Sequence, residues 1–345
     1  VLVKSLDDFY ILATGDIKRG NRIANKRIRL ELSDPAEVLR APALVNKVDE
    51  NYIPIVLGVV FNATPILIDE PTSKYQVSSL ACTIDAVRVG GLNRTFTDNA
   101  DGTFIVNGSI NGDVTCDASS SSYATVKTAC DYLASLQSIP ASTTFNFDTF
   151  QDTALIGLYI SDTTEIWSLI QSICASIGAF PRFNENGELE LVHVPHSGVS
   201  ELHTERDDLV YNGYSQQSTI DASNVQLNYA KNWTIQNNLS NGIDADIRDL
   251  YAREYSSINV DNSVSHLTTI NTLLVAESDA TTEANRRGVL FSSIREIWNY
   301  QVLLTGLAVK LGQRFSSDQG GNNTGTIIGW NKRVDRKTAN IEVMF

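Results

Sequence analysis

Four groups of polar residues have types and spacings that could support chemistry. His193 and His196 lie three residues apart in HVPH, a spacing that suits metal binding on a helix. Pro195 stands between them in an extended segment, so the two rings would not converge. No cysteine or third histidine sits at ligand spacing, and surface histidines are the better interpretation.

The stretch TDNADGT resembles half of a calcium loop. Thr97 replaces the first carboxylate of such a loop, and Gly108 stands where the bidentate glutamate belongs. We therefore expect a hairpin turn and assign no metal site.

Paired carboxylates could in principle hydrolyse a glycoside. Glu188 and Glu190 point to one side of a predicted strand, as would Asp244 and Asp246 if extended. Alternating acids on a strand usually mark its solvated face. The motifs GxSxG, GxxxxGK and GxGxxG are absent, so we assign no catalytic, cofactor-binding or metal residue and predict no enzyme.

The elements that would position these residues are short. Patterns typical of strands fill most of the 345 residues, and 42% apolar content fits packed globular structure. Residues 33–42 predict a helix with Ser33 as cap, and the stretches DNADG and NGSING predict hairpin turns in one antiparallel β module over 51–118. Apolar residues at helical spacing predict a helix near 126–136.

The segment SDTTEIWSLIQSICASIGAFPRFNENGELEL predicts a helix followed by a hairpin. Asp162 is expected to cap the helix, with Glu165 completing a capping box, and Gly178 is expected to end it in a left-handed turn. Asn186 and Gly187 predict a two-residue turn with positive φ at both positions. Trp167 is expected beside the apolar stripe of the helix, either in the core or at a domain contact. Gly187→Val is predicted to destabilise this unit.

The net charge of the chain argues against one class of function, the wrapping of nucleic acid. Forty acidic and 27 basic side chains give a net charge of −13, which disfavours wrapping nucleic acid because that requires clustered cations. No run of about 18 apolar residues is present, so no stable membrane insertion is expected. Cys82, Cys116, Cys130 and Cys174 form no CxxC pair and are expected to be buried thiols, as suits synthesis in a reducing cytoplasm.

Several segments in fixed order resemble the baseplate hub or tail-tip proteins of long-tailed bacteriophages, and the hubs of gene transfer particles. They are IRLELSDPAEVLRAP, YIPIVLGVVFNATPILIDEPTSKYQV, IDAVRVGG, DGTFIVNGSINGDVTCD, the helix and hairpin from Leu155 to Leu191, and ATTEANRRGVLFSSIREIWNYQVLLTGLAVKLGQRF. The resemblance covers most of the chain, and its specificity lies in the order of the segments.

The resemblance implies a mainly β fold with α+β insertions, in which two barrel-like tube domains flank a β module and a helix-hairpin module. The implied boundaries are 1–50 for the remainder of a first tube domain, 51–118, 119–205 and 206–345, the last with a helical insertion. It further implies a homotrimeric ring in the virion tail that continues the tail tube and is made in the host cytoplasm.

The partners implied are a distal tail protein, a tail fibre or spike, and a tape-measure protein, with no cofactor. DNA would pass the lumen without specific binding, and acidic side chains are expected to face it. Two alternatives stay open: a tail-associated glycan or peptidoglycan hydrolase, and a receptor-binding adhesin that uses exposed aromatic residues such as Trp233 or Trp330.

Overall fold

The computed structural model describes residues 2–4, 11–14, 16–23, 27–33, 35–141, 153–184, 186–193, 202–205, 209–236, 239, 242–303, 309–318, 324–333 and 338–345. Within these ranges the protein is mainly β, with several separate sheets and four α-helices. The predicted mainly β fold class is confirmed. None of the described sheets closes into a barrel, so the described residues do not show the barrel-like form expected for the two tube domains.

The described part of residues 1–52 forms short antiparallel pairs, namely β1 (Leu2–Lys4) with β2 (Ile11–Thr14), β3 (Asp16–Ile23) with β4 (Arg27–Ser33), and β5 (Lys47–Val48) with β6 (Asn51–Tyr52). The helix predicted here is a 3-10 helix over Pro35–Arg40. Ser33, the predicted cap, is the last residue of β4, two positions before this helix begins.

Two antiparallel sheets follow. Their strands are β7 (Ile55–Ala63), β8 (Ile66–Asp69), β9 (Lys74–Gln76), β10 (Thr83–Val89), β11 (Leu92–Arg94), β12 (Phe96–Asp98), β13 (Thr103–Val106), β14 (Val114–Ser120) and β15 (Gly157–Ile160). The strand orders are β11-β10-β14-β7-β15 and β12-β13-β9-β8. Tyr75 and Phe104 of the smaller sheet pack against Val56 and Val60 of the larger one.

One of the two predicted hairpin turns is wrong. The stretch DNADG joins β12 to β13, which are paired, as expected. NGSING lies between β13 and β14, which belong to different sheets. A Gly- and Asn-rich segment reverses the chain equally well within a sheet or between two sheets, so its composition could not distinguish them.

The two predicted helices of the middle region are present as α1 (Val126–Ser135) and α2 (Ile166–Ala175). Their apolar faces cover the side of the five-stranded sheet that the smaller sheet leaves open. Along β7, Ile55 and Leu57 contact this helical core, whereas Val56 between them faces the smaller sheet. The five-stranded sheet is therefore buried on both faces.

The predicted hairpin is formed by β16 (Ala179–Phe183) and β17 (Leu189–His193). Phe183 pairs with Leu189, so five residues connect the strands and the predicted two-residue turn is wrong. Buried and partly exposed residues alternate at the start of β17, as predicted. Leu189 and Leu191 are buried, and Glu188 and Glu190 are half-buried.

The rest of the chain adds two sheets and two helices. The strands and helices are β18 (Leu202–Thr204), β19 (Leu209–Ile220), β20 (Asn224–Tyr229), α3 (Ala245–Ala252), β21 (Ser256–Val260), β22 (Leu267–Asn271), α4 (Glu277–Leu290), β23 (Arg295–Leu303), β24 (Arg314–Ser317), β25 (Thr324–Arg333) and β26 (Thr338–Met344). The strand orders are β18-β24-β25-β26-β23-β19 and β21-β20-β22.

The segment between β19 and β23 leaves the six-stranded sheet and packs on the helical core. Leu227, Leu274, Ala280 and Ala284 belong to the same buried cluster as α1 and α2. The sequence predicted only one helix here, α4; α3 and the strands β21 and β22 were not predicted. This segment, the insertion between β19 and β23, thus connects the six-stranded sheet to the helical core.

The predicted boundaries at residues 118 and 205 stay predictions. Strand pairing crosses both positions, because β15 pairs with β7 and β18 pairs in parallel with β24. None of the helices within the described ranges is long and apolar enough to cross a bilayer.

Candidate assembly surface

One face of the six-stranded sheet carries mainly uncharged polar side chains. Two cross-strand rows form its middle: Ser215, Asn299, Glu342 and Gly329 in the first, and Gln301, Asn340 and Asn331 in the second. Glu342 is the one acidic residue of these rows. A Cβ at Gly329 would approach Glu342 Oε2 to 2.9 Å, so the glycine leaves room for that carboxylate.

The opposite face of this sheet is apolar and buried. Tyr300 is 1% exposed and lies against Phe315, with ring centroids 5.0 Å apart. Burial raises the pKa of Tyr300 to about 12, because the phenolate would lose its hydration. One face in the core and one face open to solvent is a common arrangement for an antiparallel sheet.

The sheet ends in a long strand edge, β19. This twelve-residue strand pairs with β23 on one side and with no described strand on the other. Residues 214–219 are all exposed, whichever face of the sheet they belong to. The segment LVYNGYSQQSTI contains no charged residue and no proline, two of the usual protections against edge-to-edge pairing. Its register with β23 shifts between Leu209 and Tyr214 and between Gln216 and Ser218.

The hairpin β16–β17 contacts the six-stranded sheet near Leu311. Arg182 Nη1 donates to the Leu311 carbonyl at 2.8 Å, and Arg182 Nε donates to Glu190 Oε2 at 2.7 Å. A Cβ at Gly312 would lie 2.4 Å from Val192 Cγ1, so glycine permits this close approach. The hairpin is therefore a structural link between the helical core and the candidate surface.

The end of α2 is closed by α4. Gly178 has φ +66°, which confirms its predicted left-handed conformation. Arg287 Nη2 donates to the Ala175 carbonyl, and Glu283, fully buried, binds Arg286 and Arg287 with Oε1 at 2.6 Å from each. Burial lowers the pKa of Arg287, and the Glu283 carboxylate opposes that shift.

The predicted capping box of α2 is wrong. The helix begins after Glu165, whose side chain makes no cap hydrogen bond. Asp162 Oδ1 instead accepts from the Thr164 backbone N–H at 3.2 Å and from the Thr164 hydroxyl. An aspartate followed by a turn forms this local bond readily, and it competes with the cap.

The other predicted structural residues lie in or beside the hairpin. Trp167 stacks on Phe183 with ring centroids 5.9 Å apart and packs against the helical core. Gly187 has φ +79°. The Asn186 backbone N–H donates to Asn184 Oδ1 at 2.9 Å, so Asn184 organises a turn that the sequence assigned to Asn186 and Gly187.

Two of the carboxylates considered for catalysis, Glu188 and Glu190, bind neighbouring side chains. Glu188 accepts from Asn184 at 2.6 Å, and Glu190 accepts from Arg182. Asp246 lies within helix α3 and Asp244 directly precedes it, so the extended arrangement considered for them is wrong.

The histidines and the calcium-like loop offer no metal geometry in the described part of the chain. His193 is buried at the end of β17, so its interpretation as a surface histidine is wrong, and His196 lies outside the described residues. Asp101 accepts from the Thr103 hydroxyl and N–H, which lowers its pKa. No group of three potential ligands occurs among the described residues.

All four cysteines are buried free thiols, as predicted. The Sγ atoms of Cys130 and Cys174 lie 4.0 Å apart between α1 and α2. Burial raises the pKa of Cys130 and of Cys116, so both stay protonated and act as small apolar side chains.

Comparison with known proteins gives structural matches only. A tail protein from Neisseria meningitidis MC58 matches 88% of this chain and 95% of its own, with 10% identity and a TM-score of 0.40. The 43 kDa tail protein of prophage MuSo2 from Shewanella oneidensis matches 88% of this chain and 92% of its own, with 10% identity and a TM-score of 0.37. Both of these proteins are tail proteins.

A third match is a prophage tail protein from Listeria monocytogenes EGD-e, which covers 92% of this chain and 91% of its own, with 7% identity and a TM-score of 0.37. No model of a protein family matches the chain, and no curated protein matches it.

Proposed function

We propose that this chain is a non-enzymatic structural subunit of a phage-type tail, a hub that assembles as a homotrimeric ring at the distal end of the tail tube. The observation that carries the proposal is the long uncharged edge of β19, which pairs with no described strand. A long strand edge without charge or proline is an aggregation hazard unless another strand covers it. The assignment to a phage tail is supported by the sequence segments that resemble those of hub proteins and occur in the same order.

In a ring, the unpaired backbone groups of the β19 edge can bind a different surface of the next copy. Such head-to-tail contacts close when the rotation between copies divides a full turn. Three copies would then continue their sheets around a central opening. The open sheets of the single chain support this arrangement, since the missing closure would come from sister subunits.

The polar face of the six-stranded sheet is the candidate lumen surface. Amides, hydroxyls and the single carboxylate of Glu342 would offer a passing polyanion few strong contacts. The sequence predicted a lumen lined by acidic side chains. On the two cross-strand rows of this face, neutral polar side chains outnumber acidic ones, so the proposed lumen surface is mainly neutral and polar. Two arginines, Arg295 and Arg314, lie at one end of the same face.

The remaining parts of the proposal follow from the hub resemblance. The ring would lie in the virion tail, contact a distal tail protein, a tape-measure protein and a fibre or spike, and let DNA pass without specific binding. The insertion and the hairpin, which fasten the sheet to the helical core, would resist distortion of the ring during ejection.

Electron microscopy of the purified full chain tests the proposal. Class averages with threefold symmetry and a central opening are expected, together with no release of sugars or peptides from cell walls and no binding to whole cells. A monomer that releases soluble glycan would establish the hydrolase instead. A monomer that binds cells, with Trp330→Ala abolishing the binding, would establish the adhesin.

A further inference from the structure

Two of the four buried cysteines lie against each other in the helical core. Cys130 belongs to α1 and Cys174 to α2, their Sγ atoms are 4.0 Å apart, and both residues are 0% exposed. They are 44 positions apart in the sequence, so the fold alone brings the two sulfurs together. Cys82 and Cys116, by contrast, belong to the separate apolar cluster between the two sheets.

A bond between these sulfurs would join two separate elements. Cys130 is in the middle of α1 and Cys174 is in the last turn of α2. The two helices pack directly against each other. Along the chain between them lies β15, which pairs with β7 at the edge of the five-stranded sheet. A bond between Cys130 and Cys174 would therefore close a loop of the chain that includes this edge strand.

The two sulfurs are close enough to react after a small movement. A disulfide requires a sulfur–sulfur distance of about 2.05 Å, so the two Sγ atoms must approach each other by about 2 Å. Rotation about χ1 of either cysteine, or a slight shift of one helix, moves a sulfur by a distance of this order. The contact between the two thiols is therefore a position from which a disulfide can form.

We propose that Cys130 and Cys174 form a disulfide when the protein meets a peroxide in an oxidising medium, and that this bond covalently joins α1 to α2. The protein as folded under reducing conditions holds the pair as thiols, because reducing compartments keep such cysteines reduced. The bond would stabilise the fold, since a closed loop of this length restricts the unfolded chain. The inference rests on the two sulfurs and does not depend on how the copies assemble.

The oxidation proceeds in two steps. One thiol attacks a peroxide oxygen, the O–O bond breaks, and with hydrogen peroxide the products are a sulfenic acid and one water. The second thiol then attacks the sulfenic sulfur, so that the S–S bond forms, the S–O bond breaks, and the hydroxyl leaves with the thiol proton as a second water. Two electrons pass from the two sulfurs to the peroxide, and both thiol protons end in water.

The reaction is expected to be slow in the closed fold. Burial, followed by the hydrogen bond with Cys174, raises the pKa of Cys130, so its reactive thiolate is scarce. Burial also limits the access of the peroxide to both sulfurs. Local opening of the helical core therefore governs the rate, and a low concentration of urea that promotes such opening should accelerate the reaction.

Mass spectrometry of the full chain after treatment with hydrogen peroxide tests the site. Trypsin leaves both cysteines on one peptide, residues 128–182, because no lysine or arginine stands between Lys127 and Arg182. This peptide should be lighter by the mass of two hydrogens and should regain them on reduction. Further cleavage after Glu165, its only glutamate, should leave the two fragments joined.

Two results would overturn the proposal. One is a gain of oxygen at either cysteine in place of the loss of two hydrogens. The other is an unchanged peptide mass both in buffer and in urea just below the unfolding transition. Because the peptide comes from the unaltered protein, this readout does not depend on whether a variant folds.

Thermal unfolding provides a second readout. The oxidised protein should melt roughly 5 °C above the reduced protein. Cys174→Ala should abolish both this rise and the loss of mass, whereas Cys82→Ala, which removes a buried thiol from the other cluster, should keep both. An equal rise in Cys174→Ala would overturn the proposal, because the stabilisation would then come from oxidation elsewhere.

Discussion

Arg287 donates a hydrogen bond from Nη2 to the carbonyl oxygen of Ala175 at 2.5 Å, and this bond joins helix α4 to the last turn of helix α2. The carbonyls at the end of a helix lack partners within the helix, and a cation there also interacts favourably with the helix dipole. Glu283 holds Arg287 in place. The contact therefore connects the carboxyl-terminal insertion to the helix-hairpin unit.

Replacing Glu283 by glutamine is expected to destabilise the protein by about 3 kcal/mol, because removal of one partner leaves buried cations without their anion. Glu283 is fully buried and binds both Arg286 and Arg287. Chemical denaturation measures the change. Glu277→Gln is the control, since Glu277 is exposed in the first turn of the same helix; equal losses in the two variants would show that the cluster contributes nothing.

Gly178→Ala tests whether glycine is required here by the close contact with Arg286 or only by the positive φ of the backbone. A Cβ there would lie 1.9 Å from Arg286 Nη2, whereas a Cβ at Gly108 would meet nothing within 4 Å, and both glycines have positive φ. Gly178→Ala and Gly108→Ala should each lower the free energy of unfolding by about 1 kcal/mol, because alanine is strained at positive φ. Gly178→Ala should cost more, in melting temperature and in denaturant midpoint, and equal costs would argue against the contact with Arg286.

Arg182→Ala is expected to loosen the hairpin from the six-stranded sheet. The variant loses the bond to the Leu311 carbonyl and leaves Glu190 without its cation. Hydrogen exchange should become faster at residues 309–313 while α1 stays protected. Arg94→Ala, at an exposed position, is the matched control, and unchanged exchange at 309–313 in Arg182→Ala would contradict the link.

Alkaline pH should destabilise the fold through Cys82. Burial, followed by the charges of Asp98 and Asp85, raises the pKa of Cys82 from 9.0 to about 11. Because the folded pKa is the higher one, this contribution is complete below pH 9 and is lost as the pH rises through 11. Cys82→Ala should therefore show a shallower fall of melting temperature between pH 9 and 11, and parallel curves for the two proteins would contradict the shift.

Local patterns were sufficient to predict the elements with strong periodicity. The apolar stripe from Ile166 to Ile177 predicted α2, and the alternation of Leu189 and Leu191 with glutamates predicted β17. Gly178 was predicted correctly because a helix end needs a left-handed residue. These features depend on neighbours within a few positions of the chain.

Contacts between distant segments could not be predicted in this way. Asn62 Nδ2 donates to Asn232 Oδ1 at 3.0 Å and to the Thr234 carbonyl at 2.7 Å, across 170 residues of chain. Nothing near Asn62 in the sequence specifies these partners. The predicted Asp162 cap is absent for a different, local reason: Asp162 Oδ1 accepts from the Thr164 N–H, and helix α2 begins only after Glu165.

The most direct test of the central claim is the molar mass in solution, by light scattering, of the full chain and of the variant Ser215→Lys/Gln217→Lys. The account predicts three times 37.8 kDa for the unaltered chain and 37.8 kDa for the variant, because lysines on an edge strand block pairing. Leu267→Lys/Thr269→Lys on the exposed edge strand β22 should remain trimeric. An unaltered chain that stays monomeric, or an edge variant that stays trimeric, would contradict the claim that copies join through β19.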